Sequence, residues 1–78
     1  MPRFFVDFQD NDTFHEDNEG SDLPNFEEAR KGAVGALREV ARDQLSEGEH
    51  RKFVAIVRSE HGVSLYRATL TFEGERLV

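Results

Sequence analysis

The segment DFQDNDTFHEDNEGSD carries seven carboxylates: Asp7, Asp10, Asp12, Glu16, Asp17, Glu19 and Asp22. His15 lies among them, and the segment has no lysine or arginine. Clustered oxygen donors can hold a divalent cation, and two carboxyls at fixed spacing can divide acid and base work. A twelve-residue calcium loop needs oxygen ligands at positions 1, 3 and 5 and glycine at position 6. Counted from Asp10, position 5 is Phe14 and position 6 is His15. Counted from Asp17, position 6 is Asp22. Neither register fits. A looser set of Asp10, Asp12 and Glu16, with His15 beside it, remains open, but a single histidine is thin support for a transition metal. A glycosidase-like pair needs carboxyls on rigid elements, one with a raised pKa. The turn-forming Asn11, Asn18 and Gly20 favour a solvated turn over about residues 9–24 instead. No metal and no cofactor is expected.

Nucleophilic chemistry finds no better footing. Ser21, Ser46, Ser59 and Ser64 sit in turn-like contexts without a Gly-x-Ser-x-Gly elbow, and His15, His50 and His61 fall in polar or turn settings. There is no glycine-rich phosphate loop and no cysteine. No catalytic residue is assigned, and the chain is expected not to be an enzyme. Arg30, Lys31, Arg38, Arg42, Arg51 and Lys52 could make a basic face for nucleic acid. Glu27, Glu28, Glu39 and Asp43 interleave with them, and no aromatic residues stand ready to stack on bases. The net charge of −6 belongs to residues 1–22, since the rest balances nine basic against nine acidic residues. Such a segment repels phosphate backbones. Nucleic acid, as bound by a regulator of antitoxin type, is the alternative partner and lacks positive support.

The elements that carry these residues follow from periodicity. Seventy-eight residues make one domain, 1–78, with a small core. RFFVDF alternates Phe4, Val6 and Phe8 against Phe5 and Asp7, as a strand does. A short second strand falls at Thr13–Glu16 or near Ser21–Leu23. From Asn25 to about Leu45 the apolar residues repeat at helical spacing: Phe26, Ala29, Ala33, Ala36, Leu37, Val40, Ala41 and Leu45. Asn25 is a good N-cap with Glu28 as capping-box partner, and Glu27 can pair with Lys31. Gly32 and Gly35 suggest close packing of the helix on a sheet or a helix contact with a partner. Gly48 is a plausible helix terminator. KFVAIVRS and SLYRATLTF form a hairpin. A two-residue type I′ turn at His61-Gly62 pairs Val57 with Tyr66, Ala55 with Ala68 and Phe53 with Leu70, all on one face with Phe72 beyond.

The expected fold is therefore α+β: a small antiparallel sheet of three to four strands with one helix packed across one face, in the order β-(β)-α-β-β. If Phe53, Ala55 and Val57 face the helix, then Val54 and Ile56 face away. Leu65 and Arg67 join them by the same register, and Phe5 adds from the first strand. One helix cannot cover both faces, so these five residues form the expected partner surface, for a protein or for a second copy of the chain.

The opening MPRFFVDFQD, the acidic turn before LPNFEEAR and the closing LYRATLTFEGERL resemble a family of small uncharacterised alphaproteobacterial proteins that open M-P-R-[FY]-F-x-D. Asn25 stands where that pattern has aspartate and keeps the capping role. The resemblance implies this fold and a bacterial cytoplasmic setting, and implies no activity. The chain has no apolar run long enough for a signal peptide or a membrane span, so no membrane is expected.

Overall fold

The computed structural model describes residues 1–11, 13–44 and 50–78. Five strands and one helix follow in order: β1 Arg3–Asp10, β2 Thr13–His15, β3 Ser21–Asp22, α1 Phe26–Gln44, β4 His50–Ser59 and β5 Ser64–Glu73. The sheet is antiparallel, in the order β2-β1-β4-β5, with β3 on the same edge of β1 as β2. The helix lies across one face, as expected of an α+β fold. Both candidate short strands exist, which makes five strands rather than three or four. Asp12 of the loose metal set, Leu45 and the Gly48 terminator lie outside the described residues.

The helix starts as its sequence dictates. The Asn25 side chain accepts the Glu28 N–H at 3.0 Å, satisfying one of the orphan donors of the first turn. Glu28 pairs with Lys31 and Glu27 with Arg30, so the Glu27–Lys31 pairing gives way to two i,i+3 contacts. Ala29, Ala33, Leu37 and Ala41 form the buried stripe, with Val40 packed beside it. Phe26 is exposed. Phe26 instead meets Tyr66 edge-on, with ring centroids 6.1 Å apart.

The stripe rests on β4, where Phe53, Ala55 and Val57 are fully buried. Phe4 completes the core, with Val6, Phe8, Leu23, Tyr66 and Ala68 packed against it. Leu70 pairs with buried Phe53 in the expected register but is 38% exposed. It lies on the edge strand, beyond the reach of a helix centred on β4. Close helix packing does not explain the glycines. A Cβ at Gly32 or Gly35 would meet nothing within 4 Å. Gly32 sits off the buried stripe and opens into an apolar groove between α1 and β1, about 470 Å³ in volume and floored by Phe4, Val6 and Phe8.

The β4–β5 turn differs from the two-residue expectation. Gly62 N–H donates to the Ser59 carbonyl at 3.0 Å, and Ser59 N–H to the Val63 carbonyl at 2.8 Å. Gly62 has φ +81°, whereas His61 does not adopt positive φ, so this is not a type I′ turn. Glu60–Gly62 form a three-residue loop with glycine in the left-handed position. The Ser59 hydroxyl accepts the N–H groups of His61 and Val63, which favours this turn locally. A bulge in β5 then sets Arg58 opposite Ser64 and Val57 opposite Tyr66. The faces of the hairpin come out as expected, because the bulge cancels the residue that the longer loop adds.

Candidate functional site

The described residues of the acidic segment are mostly exposed, yet the segment is anchored. It is clasped to the outer edge of β1 by arginine. β2 covers Phe8–Asp10 and β3 covers Arg3–Phe4, which leaves Val6 unpaired between them. The Asp17 carboxylate fills that gap. One oxygen accepts the Val6 N–H at 3.0 Å, and the other accepts the N–H groups of Glu19 and Gly20. Arg3 reaches the Asp22 carboxylate and the Glu19 carbonyl. Gly20 is required here. It has φ +73°, and a Cβ would come within 2.9 Å of Arg3 Cγ and Phe5 Cε2.

On the outer face, Asp7 is the buried charged residue at 5% exposure. Arg58 donates from Nε to Asp7 Oδ2 at 2.6 Å and from Nη2 to Asp7 Oδ1 at 3.1 Å. Asp7 Oδ1 also accepts the Asp17 N–H, and Arg58 Nη2 donates to the Asp17 carbonyl. The guanidinium lies over the Phe5 ring at 4.8 Å. Strand pairing brings these groups together, since Phe5 stands opposite Arg58 and Asp7 opposite Ile56.

Burial alone would raise the Asp7 carboxyl. The Arg58 hydrogen bonds, the Asp17 N–H and the Arg58 charge outweigh it and hold Asp7 below its ordinary value. Asp17 behaves alike: burial raises it, and the N–H groups of Gly20, Val6 and Glu19 with the Arg58 charge bring it down. Both carboxylates are thus ionised and occupied at neutral pH. They build a clasp and offer no free general base.

This gives a pH prediction. Both groups have folded pKa values below their unfolded ones, about 3.9 for aspartate. Their stabilising contribution is complete above the unfolded value and is lost as pH falls through the folded values. Urea midpoints should hold steady from about pH 7 to 5 and fall below about pH 4. Asp17→Asn should flatten that acid limb, and an unchanged limb in the variant removes Asp17 from the clasp.

The other acids are divided. Asp10 pairs with Arg51 at 2.6 Å, and Arg51 also donates to the Gln44 carbonyl near the end of α1. Glu16 is exposed. Among the described residues no three His, Asp or Glu side chains gather as a metal site would require. The basic row is largely engaged as well: Arg30, Lys31, Arg42 and Arg51 each pair with a carboxylate.

The expected partner surface lies on the face opposite the helix, and the structure qualifies it. Phe5 is half-buried beneath Arg58. Val54 is only 9% exposed, because Gln9 and Thr69 flank it across the strands and Lys52 and Ile56 lie beside it along β4. Gln9, Lys52, Arg67 and Thr69 rim a shallow depression of about 260 Å³ floored by Val54 and Ile56. Leu65 is 43% exposed at the bulge, and Arg67 is exposed. Apolar character therefore centres on Ile56 and Leu65, with a polar rim.

Periodicity marked this surface but missed the clasp. Asp7 within an otherwise apolar strand, and Asp17 three residues before Gly20, were the available signals. Their partner Arg58 is 51 residues from Asp7, and only the β1–β4 register joins them.

These features define a class: an α+β module with one helix on an antiparallel sheet, a clasped edge at β1 and, among the described residues, no element over the outer face around Val54 and Ile56. The chain belongs to the family described as Domain of unknown function (DUF6894), whose model matches residues 3–71. That span includes the clasp, the helix and most of the hairpin. No curated protein and no solved structure matches the chain. Among the described residues no helix is long and apolar enough to cross a membrane.

Proposed function

We propose that this chain is a small non-enzymatic binding or regulatory module that acts through protein contacts on the outer face of its sheet. The observation that carries this is the depression floored by Val54 and Ile56, next to exposed Leu65 and rimmed by Gln9, Lys52, Arg67 and Thr69. No element covers it among the described residues. An apolar floor with a polar rim is the anatomy of a protein interface. The simplest occupant is a second copy, which an isologous two-fold contact would place face to face. The absence of cysteine fits a reducing cytoplasm.

Ile56→Glu tests the reading. A charge placed in the floor of the contact should weaken self-association at least about tenfold while the fold, judged by circular dichroism, is kept. Sedimentation equilibrium over a wide concentration range reads the effect. Equal association of Ile56→Glu and wild type would remove the outer face as the contact surface.

A further inference from the structure

The two edges of the sheet are treated differently. The β1 edge is closed by β2, by β3 and by the Asp17 carboxylate on Val6 N–H. The β5 edge is ten residues long and ends the sheet, with no strand beyond it among the described residues. It lacks the usual protection of proline or lysine.

The direction of its free groups follows from the register. Val6 turns its N–H toward Asp17, away from β4. Its partner Val57 therefore turns its own backbone groups toward β5 and Tyr66. Backbone groups alternate along a strand, so Arg67, Thr69, Thr71 and Glu73 direct N–H and C=O off the sheet. Unpaired groups in such a row form a template for another strand.

We propose that the β5 edge is a second self-association site, at which β5 of a second copy pairs antiparallel to extend the sheet. The sequence selects the register. With the two-fold axis at Leu70, Arg67 stands opposite Glu73 of the second copy, Thr69 opposite Thr71, and Ala68 opposite Phe72. Leu70 meets its own copy. Both opposite-charge pairs form at once, on the outer face. Arg67 and Glu73 are exposed, and neither has an ion pair within its own chain among the described residues. Leu70, 38% exposed on the helix side, gains an apolar neighbour. The bulge at Ser64–Leu65 lies outside the paired stretch. This pairing uses the β5 edge and not the Val54–Ile56 floor of the face contact proposed above, with which it shares the rim residues Arg67 and Thr69, and it sets two outer faces side by side in one continuous sheet.

Thr69→Pro is the deciding variant. The Thr69 N–H points off the sheet, and an edge strand accepts proline at such a position without losing its inner partner. Sedimentation equilibrium with circular dichroism should show a folded Thr69→Pro whose edge association is lost. Should that variant fail to fold, Arg67→Glu and the charge-swapped Arg67→Glu/Glu73→Arg decide instead. The single change should weaken pairing about tenfold, and the swap should restore it to within about threefold.

Association that vanishes in Thr69→Pro and persists in Ile56→Glu supports the edge and defeats the face. The reverse pattern defeats the edge and keeps the face. Species larger than a dimer, reduced by each variant, support both. A folded Thr69→Pro that associates like wild type, or a swap that fails to rescue, overturns the edge pairing. A wild type monomeric at all concentrations overturns both contacts.

Discussion

Asp7→Ala should lower the unfolding free energy by about 3 kcal/mol, the lower end of the range for breaking a buried ion pair. The lower end applies because Arg58 keeps 22% of its side chain exposed, so water partly compensates the abandoned guanidinium. Three things are lost together: the bidentate contact, the acceptor for Asp17 N–H and the charge that holds the acidic segment on β1. Arg58→Met alone leaves the Asp7 carboxylate buried without its cation and should cost a similar amount. The double variant Asp7→Leu/Arg58→Met removes both charges and should recover much of the loss, since apolar replacement of a buried pair is often neutral. Urea unfolding of wild type, Asp7→Leu, Arg58→Met and the double variant gives the coupling energy. Simple additivity of the two single changes would mean that Asp7 and Arg58 do not act as a pair.

Leu37→Ala should cost about 2–5 kcal/mol, the range for truncating a buried leucine. Leu37 is the largest side chain in the buried stripe of α1, and its neighbours in that stripe are alanines. Alanines cannot swing in to fill the space, so the cavity term persists. Against a typical total of about 5–15 kcal/mol, such a loss brings a domain this small close to unfolding. An unchanged urea midpoint would mean that another face of α1 meets the sheet. Both experiments probe the same slab from opposite sides: Leu37 holds the helix down, and Asp7 holds the acidic segment to the outer face.

How far each feature could be read in advance follows from its physical range. The helix start was legible because capping is local: Asn25 and Glu28 are three residues apart and bond directly. The hairpin register was legible because alternation along β4 and β5 allows one alignment that keeps Phe53, Ala55, Val57, Tyr66 and Ala68 on the helix side. Its turn was misjudged, because a three-residue loop plus a bulge and a two-residue loop restore the same register. The residues of the outer face were legible, but not their exposure. Val54 was expected in water, and its cross-strand neighbours Gln9 and Thr69 shield it.

The acidic segment was the hardest to read. Its composition alone suggests turns. Yet Asp17 is committed to Val6 N–H, Asp7 to Arg58, Asp10 to Arg51 and Asp22 to Arg3. Each ion pair spans at least nineteen residues of chain, and each requires the β1–β3 or β1–β4 register before the partners meet. Short-range patterns could specify the helix, the long strands and their faces, because these depend on neighbours in sequence. The choice of cation for each carboxylate, and the closing of one sheet edge while the other stays open among the described residues, depend on strands distant in sequence lying side by side, which exists only once the chain has folded.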